Sequence, residues 1–131
     1  MNNTRTVLII EDSKTQADQV AYHLSKHDLD VIIAADGLQG LRLVNAYQPD
    51  LIVLDVNMPK LNGYQVCRRL KRDPETMGIP VIMLTSATEF DETQTGYQVG
   101  ADEYIAKDMF AMERLLTTIE AMGFLQTEAV L

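Results

Sequence analysis

Leu51-Ile52-Val53-Leu54-Asp55-Val56-Asn57-Met58-Pro59 places four consecutive apolar residues directly before an aspartate and a proline-closed loop directly after it. Continuous rather than alternating apolarity marks a strand buried on both faces, the pattern of a parallel sheet covered by helices. Four other short runs read the same way: Val7-Leu8-Ile9-Ile10, Val31-Ile32-Ile33-Ala34-Ala35, Val81-Ile82-Met83-Leu84 and the weaker Glu103-Tyr104-Ile105-Ala106.

Longer amphipathic segments lie between these runs, and most carry a start signal. Ser13 with Gln16 reads as a capping box, followed by Ala17, Val20, Ala21 and Leu24 on one face. Asp36 is placed to cap a second helix whose inner face is Leu38, Leu41 and Val44. Asn62 with Gln65 starts a third, carrying Val66 and Leu70. Thr88 with Asp91 starts a fourth, to about Val99, mostly polar and so the most exposed. Asp108 is placed to cap a fifth, with Met112, Leu115, Leu116, Ile119 and Met122 as its inner stripe and Gly123 as its stop. Five βα units in alternation predict an α/β doubly wound domain over residues 1–123, with 124–131 as a tail onto which Phe124 and Leu125 can dock.

The bulk properties agree with one small domain. The 131 residues are 47% apolar and 23% charged, enough to bury a core without disulfides or metals. The single cysteine, Cys67, excludes an internal disulfide and fits a reducing, cytoplasmic setting. No apolar run approaches the ~20 residues of a membrane span. The net charge of -8 argues against nucleic acid as a partner, because such binding needs a basic patch to displace counterions. Arg68, Arg69, Lys71 and Arg72 form a small basic cluster, read as a solvated face. His23 and His27 stand four apart with no third metal ligand nearby, and are read as surface or half-buried residues.

In sheets of this kind ligands bind beyond the carboxyl ends of the strands. Glu11 and Asp12 follow the first strand, Asp55 the third, Thr85 and Ser86 the fourth, and Lys107 the fifth. Three carboxylates near one point repel one another, a cost that a hard divalent cation such as Mg2+ relieves. The chemistry suggests Asp55 as a nucleophile toward phosphorus. Asp12, with Glu11 and Asp55 itself, would hold Mg2+, and the Asn57 backbone carbonyl can add a ligand. Lys107 would neutralise phosphoryl oxygens, and the Thr85 hydroxyl would donate to one.

The pieces Ile10-Glu11-Asp12-Ser13, Leu54-Asp55-Val56-Asn57-Met58-Pro59, Asn62-Gly63, Leu84-Thr85-Ser86-Ala87, Gly100-Ala101-Asp102-Glu103-Tyr104 and Ile105-Ala106-Lys107 run in the order found in response-regulator receiver domains. The sequence resembles that family, including its single-domain chemotaxis regulators, over about residues 5 to 122. The resemblance implies a flavodoxin-like sheet of order 2-1-3-4-5 and a phosphoryl group taken onto Asp55 from a histidine kinase or histidine phosphotransfer protein, with Mg2+. It implies a switch in which Thr85 moves toward the phosphate and Tyr104 turns inward. The face made by the fourth helix, the fifth strand and the fifth helix would then change its effector partner. The family usually has proline after the lysine; here it is Asp108. A cis bond before a non-proline residue costs roughly 3–4 kcal/mol, so a trans bond, or a cis bond held by its surroundings, is expected, with consequences for the reach of Lys107.

The expectation is a cytoplasmic signalling switch, monomeric or weakly dimeric, without independent substrate turnover or an output domain of its own. A role in motility, or in light or chemical taxis, is favoured by the Asn62–Lys71 segment, similar to such single-domain regulators. A phosphorelay intermediate, or the receiver portion of a longer regulator, is the alternative. A hydrolase with an aspartate nucleophile would need a second acid two residues on, where Asn57 cannot shuttle a proton. A pure docking module is disfavoured by the intact Asp12, Asp55, Thr85 and Lys107.

Overall fold

The computed structural model describes residues 4–86 and 99–125. Five parallel strands, β1 (Arg5–Ile10), β2 (Leu29–Ala34), β3 (Leu51–Asp55), β4 (Val81–Thr85) and β5 (Glu103–Ala106), form one sheet of order β2-β1-β3-β4-β5. Four helices are described: α1 (Lys14–Ser25), α2 (Gly37–Tyr47), α3 (Gly63–Arg72) and α4 (Ala111–Ala121). The helix expected from Thr88 lies outside the described residues, apart from its end near Val99. The last helix of the sequence reading is therefore α4.

Strand periodicity sorts the core into two layers. Leu8, Ile10, Ile52, Leu54, Val81 and Met83 face α2 and α3. Val7, Ile9, Leu51, Val53, Ile82 and Leu84 face α1 and α4. Every residue of β3 and β4 is buried, which is why their runs are uninterrupted, and each large aliphatic side chain so buried contributes about 1.5–3 kcal/mol. The second strand departs from that reading. Its run begins at Leu29, Val31 and Ile32 are half-buried, and Ile33 is exposed, because β2 is an edge strand with a neighbour on one side.

The inner face of α2 also differs from expectation. Leu38 is exposed and Leu41 half-buried, while Gly37, Gly40 and Val44 are buried. A β-carbon on Gly40 would lie 2.5 Å from Ile10 Cδ1. The glycines therefore bring this helix onto the sheet more closely than a leucine stripe would permit.

The caps explain most element boundaries. Asp36 accepts from the Gln39 amide, and Asn62 with Gln65 forms a complete capping box. Ser13 caps α1 through the Gln16 backbone amide, but the reciprocal arm is replaced: the Ser13 amide donates to Glu11 Oε2 at 3.3 Å. Asp108 is not the cap of α4. Phe110 holds that position, and Asp108 lies two residues before it, its Oδ1 accepting from the Phe110 amide and pairing with Arg114. Gly123, at φ +86°, ends α4. Its amide donates to the Glu120 carbonyl and that of Phe124 to the Ile119 carbonyl, a Schellman closure. Phe124 and Leu125 pack on the α1–α4 side of the core.

Lys71 leaves the basic cluster. Its ammonium donates to the Ile79 carbonyl at 2.7 Å and to Asp102 at 3.0 Å, and Asp102 also accepts from the Val81 amide. This polar knot fixes the entry of β4, while Arg68, Arg69 and Arg72 remain exposed.

Candidate functional site

The carboxyl ends of the strands converge as the topology requires. Asp55 is the last residue of β3 and Thr85 the last of β4; Glu11 and Lys107 directly follow β1 and β5. The ladder extends one step beyond the strands, with the Glu11 amide donating to the Ala34 carbonyl, Val56 to Leu84 and Lys107 to Thr85. Those bonds fix the backbone from which each side chain projects. Behind Asp55, the Gly63 amide donates to the Val56 carbonyl at 2.9 Å, and a β-carbon on Gly63 would stand 2.4 Å from the Asp55 carbonyl oxygen. The start of α3 thus presses against the backbone that carries Asp55.

Glu11 and Asp55 are each only 5% exposed, whereas Asp12 is exposed. One oxygen from each of the three carboxylates lies within 4.8 Å of the others. Lys107 Nζ reaches into this group, 2.8 Å from Glu11 Oε1 and 2.9 Å from Asp55 Oδ1. It also donates to Gln16 Oε1. The approach to Asp55 is an ion pair off the hydrogen-bonding direction, and Asp55 Oδ1, though buried, accepts no hydrogen bond among the described residues. A buried carboxylate oxygen with an unused lone pair, beside two more carboxylates, is an all-oxygen donor set that fits Mg2+.

The electrostatics follow from this packing. Burial is the largest cause raising the Glu11 carboxyl above its ordinary value, and neighbouring Asp55 adds to it against the pull of Lys107. Loss of hydration, then neighbouring Glu11, raises Asp12. Burial alone would lower Lys107, but its contacts with Glu11 and Asp55 outweigh that and hold the ammonium above its usual value. Three carboxylates around one cation leave the cluster with an excess of negative charge, which stabilises a bound cation and costs the metal-free protein.

The other expected residues take more varied places. Thr85 is fully buried. Tyr104 is half-buried against the α2–α3 core, its hydroxyl 3.5 Å from that of Tyr64. Asn57 is exposed, and its side-chain amide donates to Ser86 Oγ at 3.1 Å. Among the described residues there is no cis peptide bond, so the Lys107–Asp108 bond is trans, and Lys107 reaches the carboxylates all the same. His23 is half-buried beside Tyr22 and His27 exposed, and neither joins a metal-capable cluster among the described residues. Burial pushes the Cys67 thiol up to about 11, which makes it an inert packed residue. Gln16 is the site residue that the sequence reading missed. Its N3 position in α1 suggested capping, and no local pattern signals a lysine 91 positions away.

The family model for the response regulator receiver domain matches residues 7–120. The chain belongs to the response regulator receiver family. Among curated relatives, the DNA-binding dual master transcriptional regulator RpaA of Synechocystis is 40% identical over 116 residues, covering 88% of this chain and 48% of that protein. Protein PilH of Pseudomonas aeruginosa is 37% identical over 88% of this chain and 95% of PilH. The chain thus spans about half the length of RpaA and nearly all of PilH. The solved chemotaxis response regulator CheY4 of Vibrio cholerae superposes with a TM-score of 0.83 at 30% identity, covering 91% of this chain and 98% of that one. Receiver domains of this family signal by phosphorylation and bind Mg2+ at an acidic pocket, and the strand order found here is the family's. No helix among the described residues is long and apolar enough to cross a membrane.

Proposed function

We propose that Asp55 accepts a phosphoryl group from the phosphohistidine of a histidine kinase or phosphotransfer protein, and that this modification switches the binding of an effector protein. The observation that carries the reading is the placement of Asp55: buried at the end of β3, its Oδ1 accepting no hydrogen bond among the described residues, 2.9 Å from Lys107 Nζ and beside Glu11 and Asp12. An Asp55 oxygen forms a bond to phosphorus as the P–N bond of the donor breaks. The electron pair of that bond stays on the imidazole nitrogen, which takes up a proton, and an acyl phosphate remains on Asp55.

Asp12, Asp55, Glu11 and the Asn57 backbone carbonyl would hold Mg2+. When bound it neutralises charge on the transferring oxygens. Lys107 pairs with a phosphoryl oxygen, giving up its contact with Asp55 Oδ1. Thr85 donates its hydroxyl to another, and Tyr104 leaves its place near Tyr64 to turn inward. The effector would read the face of β5 and α4 together with the expected fourth helix, which lies outside the described residues. A groove of about 560 Å³ between β5 and α4, lined by Tyr104, Asp108, Glu113 and Thr117 among others, supports this. Asn57 two residues after Asp55 offers no acid–base group for turnover, which favours a switch over a hydrolase. Motility or taxis signalling is supported by the likeness to a chemotaxis regulator over most of both chains.

The test is intact-mass measurement after incubation with Mg2+ and acetyl phosphate, or with a phosphorylated cognate kinase. One phosphoryl group is expected, lost in Asp55→Asn. No gain from either donor refutes the reading, and rapid multiple turnover of a phosphate ester would replace it with a hydrolase.

A further inference from the structure

Lys107 carries three N–H donors on a stem of four rotatable bonds, and such a side chain loses rotamer entropy when held in one place. Glu11 Oε1 accepts from one donor and Gln16 Oε1, on the first turn of α1, from another, while Asp55 Oδ1 stands 2.9 Å away as an ion-pair partner off the hydrogen-bonding direction. Gln16 is free to accept it because of an exchange of partners. The Ser13 amide, which a complete capping box would give to the Gln16 side chain, donates to Glu11 Oε2 instead. Glu11 thus bridges the start of α1 and the lysine, and the Gln16 amide turns outward from the helix cap to the ammonium.

We infer that Gln16 is a positioning residue for Lys107, holding its ammonium over Glu11 and Asp55 and so setting the rate at which Asp55 is phosphorylated. The last clause rests on the function proposed above. A neutral amide suits the task. It accepts a second ammonium proton beside Glu11 without adding a fourth carboxylate to a group that already carries three. Without it that proton turns to water, and only the two carboxylates hold the stem. Gln16 is exposed and its cap bond uses the backbone amide, so the side chain can be exchanged without removing the cap.

The experiment replaces Gln16 with Met, which keeps the length and removes the acceptor, and with Glu, which keeps the acceptor. The first readout is the side-chain 15N signal of the Lys107 ammonium in the metal-free protein, assigned with Lys107→Arg. It is visible only when the ammonium is shielded from fast exchange. The signal is expected in the natural protein and in Gln16→Glu, and lost in Gln16→Met; Gln16→Ala repeats the loss if the Met variant folds poorly. The second readout is the rate of phosphorylation by acetyl phosphate at saturating Mg2+. It should fall roughly fivefold in Gln16→Met, less than the full weight of one charge-assisted hydrogen bond, while Mg2+ affinity by calorimetry stays unchanged. A Lys107 signal that persists in Gln16→Met, or an undiminished rate, overturns the inference. A protein that takes no phosphoryl group while its Lys107 signal still depends on Gln16 overturns the proposed function and leaves the positioning role standing.

Discussion

Replacing Asp12 with Asn should make the metal-free protein more stable and remove its response to Mg2+. An Asp12 oxygen lies within 4.8 Å of oxygens from both Glu11 and Asp55. Two unit charges at that distance repel by about 3.5 kcal/mol at an effective dielectric of 20, and by about 0.9 kcal/mol in water. Asp12 is exposed, so the lower figure applies to each pair, and Lys107 offsets part of the sum. A gain of about 1 kcal/mol is left, which corresponds to a few degrees in Tm for a domain of this size. The natural protein should instead gain stability from Mg2+, by about 2.7 kcal/mol at a concentration one hundredfold above Kd. Urea unfolding in EDTA and in Mg2+ measures both. If Asp12→Asn is less stable than the natural protein in EDTA, the reading of the cluster as a site of unrelieved repulsion is wrong. If it keeps the full Mg2+ gain, Asp12 is not a ligand.

Other consequences follow from the same contacts. Lys107→Met should leave the buried Glu11 without its cation and destabilise the metal-free protein at pH 7 by roughly 1–3 kcal/mol, the cost of a buried acceptor left unpaired, read by urea unfolding, and Mg2+ binding by calorimetry should survive. Because Glu11 and Asp12 are both raised in the folded state, the folded protein holds their protons more tightly than the unfolded chain. Their contribution therefore favours the native state as pH falls from neutral toward the raised values, and Mg2+, which needs the ionised forms, loses affinity over the same interval; calorimetric titrations between pH 7 and pH 4 check the sign. Gly40→Ala should cost roughly 1–3 kcal/mol despite the better helix propensity of alanine, since its β-carbon meets Ile10 at 2.5 Å in a packed core; a denaturation midpoint equal to that of the natural protein would count against the close approach of α2.

The elements that were legible in the sequence are those governed by short-range pattern. The runs ending at Ile10, Leu54 and Leu84 read as doubly buried strands and are so. Asp36 and the Asn62–Gln65 pair read as caps and serve as caps, because capping is settled within four residues. Reading failed where a residue had two suitors. Gln16 suits a capping box, but a carboxylate two positions before the cap residue took its place. Asp108 suits a cap, but Arg114 and the Phe110 amide hold it two residues before the cap position. Lys71 belongs to a basic run, but the Ile79 carbonyl and Asp102 draw it inward. Leu38 has the hydrophobicity of an inner face, and Gly40 is what the sheet admits. The strand from Leu29 is only partly buried on either face, because pattern within a strand does not say which strands have two neighbours.

The alternation of strands and helices was readable from residue pattern, as was the presence of a carboxylate, a hydroxyl or an ammonium at the end of each central strand or beside it. Both depend on periodicity and on position within a few residues. What the tertiary structure decided is which of those groups meet. Lys107 joins Glu11 across 96 positions of chain and Gln16 across 91, in a sheet where β3 and β4 lie between β1 and β5. Such encounters are set by strand order, by the one-step extension of the ladder beyond each strand, and by the close seating of α3 against the backbone of Asp55. Those are properties of the assembled sheet, and no local stretch of sequence contains them.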